Sequence, residues 1–148
     1  MGLPALTSLL LGGAGLSACA AAPVVTAPAG GASAFATRLG ETANLGSSTV
    51  TAVSVLEDSR CPADVMCIQA GTAKILVRVQ RGRTGTDRIV GLGRPADVGG
   101  AWLHLGAVCP YPLASRPVAR EDYRMVFVLS DSFTLTQGQA AAIACPSD

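Results

Sequence analysis

Beyond residue 35, no stretch offers ten helical positions with an apolar stripe free of Gly or Pro, whereas several runs change character at every second residue. Val53 and Val55 alternate with Ala52, Ser54 and Leu56. Ile75, Val77 and Val79 alternate with Lys74, Leu76, Arg78 and Gln80. Tyr123, Met125, Phe127 and Leu129 alternate with Arg124, Val126, Val128 and Ser130. Successive strand residues point to opposite faces, so these runs predict half-buried strands with one wet face, the habit of antiparallel sheets. Turn signals separate them: Leu45-Gly46-Ser47-Ser48, Arg81-Gly82-Arg83-Thr84-Gly85, Gly91-Leu92-Gly93-Arg94-Pro95 and Asp97-Val98-Gly99-Gly100. The expected fold is all-β, a small antiparallel β-sandwich or barrel of about seven or eight strands.

One spacing repeats: Phe35-x4-Gly40-Glu41-x-Ala43-x-Leu45 returns as Phe133-x4-Gly138-Gln139-x-Ala141-x-Ile143. Two hairpins with Gly in the turn would produce it. A duplicated half-domain is the less economical reading, because nothing between the copies repeats.

The N-terminus sets the compartment. Residues 3 to 16 form an apolar segment of fourteen, against the roughly twenty that a spanning helix requires. That length predicts a signal peptide over residues 1–18. The segment closes on Leu16-Ser17-Ala18-Cys19, which resembles the bacterial lipobox. The resemblance implies cleavage before Cys19 and lipidation of its sulfur and new amino group, although the leader carries no Lys or Arg. A plain secretory signal with an incidental Cys19 is the alternative. Ala20 stands where that family's inner-membrane retention signal is usually Asp. The expected location is therefore an exported lipoprotein at the outer membrane or surface of a bacterium, tied to the membrane through its N-terminal lipid. Residues 19–34 carry no charge and consist mostly of Ala, Pro and Gly, a composition suited to a tether. The domain is expected over 35–148.

All charged residues follow that tether and balance to a net +1, which does not point to nucleic acid. Arg78, Arg81, Arg83, Arg88 and Arg94 cluster around one Gly-rich turn. They could touch phosphate groups of lipid, but the simpler reading is a solvated edge that blocks sheet-to-sheet aggregation.

Four cysteines remain in the domain: Cys61, Cys67, Cys109 and Cys145. In an oxidising compartment an even set reads as two disulfides, for which three pairings exist. Cys61 with Cys67 is favoured, since a short interval headed by Pro62 can curl back on itself. Cys109 with Cys145 would then pin the final strand. The chain-entropy model gives upper figures of about 2.4 kcal/mol for the small ring and about 4 kcal/mol for the large one.

A metal site is the competing use of these sulfurs. Cys61, Cys67, Met66, Met125 and His104 have the softness Cu(I) prefers, yet the cysteine spacing exceeds that of zinc sites and His104 is the sole histidine. Met66 and Met125 are expected in the core, and no cofactor is predicted.

The run Asp58-Ser59-Arg60-Cys61-Pro62-x-x-Val65-x-Cys67-Ile68-x-Ala70-Gly71, followed by the strand 74–79, resembles a family of small exported bacterial proteins and lipoproteins of unassigned function. Pro110-Tyr111-Pro112 and the strand after Tyr123 fit the same pattern. The likeness covers about residues 35 to 129. It implies a compact β-rich domain and transfers no activity. Gln69 stands where that family typically has Trp.

Asp58, Ser59 and His104 lack the G-x-S-x-G elbow of a hydrolytic triad, and His104 reads as a surface residue sharing an outward face with Trp102. No catalytic residue is predicted. Asp58 before the turn reads as a cap, with Arg60 pairing to it or to Asp64 and stiffening the loop. The functional counterpart is an exposed Arg60 offered to a partner. Asp58, Arg60, Trp102 and Tyr111 are thus the candidate contact surface. The resulting expectation is a non-catalytic, lipid-anchored envelope module, binding or inhibitor-like, that recognises a protein or glycan. A copper or zinc carrier using the cysteines and His104 is the alternative.

Overall fold

The computed structural model describes residues 31–141 and 143–145. The leader, Cys19 and the tether up to residue 30 lie outside the described residues.

The described residues form eight strands: β1 (Ser33–Arg38), β2 (Thr42–Leu45), β3 (Ser48–Asp58), β4 (Ala73–Arg81), β5 (Thr84–Gly91), β6 (Ala96–Asp97), β7 (Trp102–Cys109) and β8 (Arg124–Ser130). They make two antiparallel four-stranded sheets, ordered β1-β8-β7-β6 and β2-β3-β4-β5. The sheets face each other as a β-sandwich-like pair and do not close into a barrel. β1 opens at Ser33, two residues ahead of Phe35, and Ala32 is already buried.

The core lies between the sheets. Ile75 and Val77 of β4, Leu103 of β7, and Met125 and Phe127 of β8 are fully buried in it, and Phe35 stacks on Phe127 at 5.6 Å. Each such side chain removed from water contributes about 1.5–3 kcal/mol.

Simple alternation fails on β3 because the strand is bulged twice. Ala52 pairs with Val77 but Ser54 pairs with Leu76, and Val55 pairs with Ile75 but Glu57 pairs with Lys74. Val53 and Leu56 are the inserted residues. Each insertion moves the inward set by one position, so Val50 and Ala52 face in, then Val55, then Asp58 opposite buried Ala73.

The expected wet face of β8 is dry. Val126, Val128 and Ser130 are buried along with Met125 and Phe127. The cover is the C-terminal segment after β8, which includes the short helix α1 (Gln137–Ala141). It crosses the outer face of β7, where Phe133 meets Trp102 edge-on at 4.9 Å and Ser132 O lies 3.0 Å from His104 Nε2. His104 is therefore buried, not a surface residue. A β-bulge at Gly106 lets Ile143 sit directly on the backbone; a Cβ there would lie 2.5 Å from Ile143 Cγ2.

Cys109 joins Cys145, so this disulfide bolts the cover to the sheet; among the described residues no strand follows β8 for it to pin. The repeated Phe-Gly spacing also resolves into two different structures. Gly40 turns between β1 and β2 at φ 84°, whereas Gly138 lies inside α1.

Candidate functional site

Between β3 and β4 the chain leaves the sheet for residues 59–72. Ser59 N–H donates to Thr72 O at 2.8 Å and Cys61 N–H to Ala70 O at 3.0 Å, extending the ladder beyond the last strand pair. Gly71, at φ 68°, lets the two legs come this close, because a Cβ would sit 1.7 Å from Ser59 O. At the tip, Cys61 and Cys67 form a disulfide with Cα atoms 5.9 Å apart.

The base of the loop is fixed by one arginine. Arg60 Nε and Nη2 donate to the two Asp58 carboxylate oxygens, each at 2.7 Å. Nη1 donates to Val108 O and Nη2 also to Pro110 O at 3.1 Å. The guanidinium lies 5.5 Å from the Tyr111 ring centroid. Tyr123 O–H donates to Asp58 Oδ2 at 2.9 Å.

These contacts set the electrostatics. Burial pushes the Asp58 carboxyl up, but the bonds from Arg60 and Tyr123, with the Arg60 charge, outweigh it and hold the group below its ordinary value. Burial, then the bond to the Asp58 carboxylate, pushes the Tyr123 phenol up to about 12.

The Pro-Tyr-Pro segment packs beside this loop. Ala63 N–H donates to Pro112 O at 2.9 Å, and Ala114 N–H donates to Asp64 Oδ1 at 2.8 Å. Asp64 is thus a strut between the loops, not the partner of Arg60. The 59–72 loop and the 110–116 segment form one composite face at one end of the sandwich.

The four sequence candidates do not all meet there. Asp58 and Arg60 lie under the face, with side chains only 10% and 5% exposed. Arg60 therefore holds the loops together and offers no guanidinium to a partner: its donors point at backbone carbonyls within reach only in the folded sandwich. Tyr111 is 62% exposed on the face. Trp102 lies at the opposite end of β7, paired with Asp97 and Ser130 and covered by Phe133.

Alternation overlooked the residues that dominate the face. Met66 and Ile68 are fully exposed, and Val65 is exposed beside them. Met66 is not a core residue, whereas Met125 is. The signal available was topological: a seven-residue disulfide ring at the end of a hairpin has nothing to pack its apolar side chains against.

The arrangement presents exposed apolar side chains on a braced loop above a buried ion pair. Asp58 and Arg60 are engaged with each other and Asp64 with a backbone N–H, all four domain cysteines are in disulfides, and among the described residues no three His, Cys, Asp or Glu side chains group as a metal would require. No family model, curated protein or solved structure matches the chain.

Proposed function

We propose that the protein is a non-catalytic, lipid-anchored module of a bacterial cell envelope, exported by its leader, tied to the membrane at Cys19, and binding a partner through the composite face. The observation that carries this reading is the coupling of the two loops: the Ala63–Pro112 and Asp64–Ala114 bonds brace the loop that bears exposed Val65, Met66 and Ile68 against the segment that bears exposed Tyr111. Exposed apolar groups of this kind mark recognition surfaces. Rigid presentation reduces the entropy lost on association. Their chemistry favours a protein partner with an apolar pocket over a glycan.

The position of β1 supports the reading. Ser33 pairs with Leu129 and Arg38 with Arg124, while Cys109 also pairs with Arg124. The composite face thus lies at the Arg38 end of β1, and the tether joins at the Ser33 end, about 17 Å away along the strand. An anchor at that end leaves the face clear of the point where the tether joins.

Site-specific photo-crosslinking of the full chain in its native envelope tests the proposal. A crosslinker at Met66 or Tyr111 should yield a discrete adduct that one at Arg83, in the β4–β5 turn, does not. No adduct at Met66 or Tyr111, or the same adducts from all three positions, would overturn it. The carrier alternative has no observation in its favour, since the thiolates it needs are in disulfides.

A further inference from the structure

The inward alternation of β4 does not stop with its apolar residues. After Ile75, Val77 and Val79 the next residue on that face is Arg81, and across the ladder stand Val90, Arg88, Thr86 and Thr84 in turn. Directly opposed residues share a face. Arg81, Thr84, Thr86 and Arg88 therefore occupy core-facing positions, yet all four are exposed. The opposing sheet ends in β6, only two residues long, and leaves this end unroofed. The result is a cleft of about 340 Å³, floored by Val79 and Val98 and walled by these polar side chains and Gly99.

Neutral groups hold both guanidiniums. Arg81 donates Nε to Ser48 Oγ at 3.1 Å and Nη2 to Gly99 O at 2.8 Å. Arg88 donates Nε to Asp97 O and Nη1 to Asp87 O, each at 3.1 Å. Neither arginine belongs to an ion pair among the described residues. The Asp87 carboxylate is taken by Arg78, at 2.8 and 3.0 Å, and the Asp97 carboxylate accepts the Gly99 N–H at 2.6 Å. Two positive charges are thus fixed in place without a counter-charge in direct contact, each with one terminal nitrogen left to donate.

We propose that this cleft binds a phosphate group carried on a small polyol or on a lipid headgroup. Guanidinium forks match oxyanions in geometry and charge. With one terminal nitrogen free on each guanidinium, neither arginine can clasp a planar carboxylate alone, whereas the several oxygens of a phosphate can take both nitrogens and the Thr84 and Thr86 hydroxyls together. Edge protection of β5 needs only a charge pointing inward. It does not need two guanidiniums tied to carbonyls two residues apart around an open cleft.

The test is a low-salt NMR titration of the intact disulfide-bonded chain with inorganic phosphate and glycerol phosphate, acetate as the carboxylate control, and phosphatidylglycerol vesicles in a parallel sedimentation assay. Saturable shifts at Thr86 and Gly99 are expected, with a Kd on the order of 1 mM or tighter. Arg88→Gln should weaken binding about tenfold, the loss of one charge-assisted contact. Arg38→Gln, which removes the same charge from β1 in the other sheet, should leave it unchanged. Thr86→Val removes a hydroxyl without disturbing either guanidinium and should also weaken binding. Saturation by glycerol phosphate identifies a soluble ligand; Arg88-dependent binding to vesicles alone identifies a headgroup. Saturation by neither, acetate binding as tightly as phosphate, or full affinity in Arg88→Gln would overturn the proposal. None of these outcomes bears on the composite face at the other end.

Discussion

Arg60 and Asp58 meet through two parallel hydrogen bonds of 2.7 Å beneath the composite face, both side chains almost wholly out of water. A pair so placed is costly to break on one side, because the survivor is left buried and uncompensated. Arg60→Ala should therefore lower unfolding stability by about 3–5 kcal/mol in urea denaturation. Replacing both partners, as in Asp58→Leu with Arg60→Met, should recover a good part of that loss. A single-variant cost below about 1 kcal/mol would mean the pair behaves as a solvent-screened surface bridge.

The same cluster predicts how stability depends on pH at both extremes. Asp58 is held below its ordinary 3.8, so its contribution is complete above that value and is lost as pH falls through the lower folded value. Tyr123 is raised from 10.0 to about 12, so its contribution is complete below pH 10 and is lost as pH rises toward 12. Thermal unfolding followed by circular dichroism should show decline on both sides. Asp58→Asn should flatten the acid limb and Tyr123→Phe the alkaline one; an unchanged acid limb in Asp58→Asn would assign it to other carboxylates.

Much of this architecture was legible in residue order. The period-two runs of β4 and β8 mark the core strands, and the Gly-rich turns mark the hairpins. The bulges of β3 were not legible, since an inserted residue such as Val53 looks like any other alternating position until its partner on β4 is known. The cover over β7 and β8 was equally hidden: Val126 and Val128 read as outward residues because the segment that buries them belongs to no periodic element. For the site, spacing favoured the cysteine ring among three pairings, and charge offered Arg60 two partners, Asp58 and Asp64, of which the fold selects Asp58. The exposure of Met66 and Ile68 was not legible, because it depends on the sheet ending at Asp58 and Ala73. The cleft arginines were legible only as two members of a basic cluster around a Gly-rich turn: Arg81 continues the alternation of Ile75, Val77 and Val79, and only the shortness of β6 makes that inward position wet and sets Arg81 and Arg88 apart from Arg78.

Two glycines make close approaches of different kinds, and substitution should separate them. At Gly71 a Cβ meets backbone at a positive φ, so Gly71→Ala should cost about 2 kcal/mol or more with no side-chain change able to relieve it. At Gly106 the obstacle is the Ile143 side chain, and Gly106→Ala should cost about 1–3 kcal/mol. Adding Ile143→Ala should then be less harmful in the Gly106→Ala background than in the parent. Strictly additive effects in that double-mutant cycle would show that Ile143 does not sit on Gly106.

The two disulfides should fail differently when removed. Cys109–Cys145 closes a loop of 36 residues in sequence separation and clamps the cover over β7 and β8, whereas Cys61–Cys67 closes one of six within an exposed loop. Chain entropy alone ranks them at about 4 and about 2.4 kcal/mol. Packing widens the gap, because releasing the cover also uncovers Val126 and Val128, which water cannot hydrate favourably. Cys109→Ser with Cys145→Ser should thus give the larger drop in Tm together with new binding of a hydrophobic dye. Cys61→Ser with Cys67→Ser should leave dye binding low and instead expose the 62–68 tip to proteolysis, since Arg60 and Asp64 still hold the base of the loop. Dye binding that stays low in the Cys109/Cys145 variant would mean the cover is held by Ile143, Phe133 and Ser132 without help from Cys145.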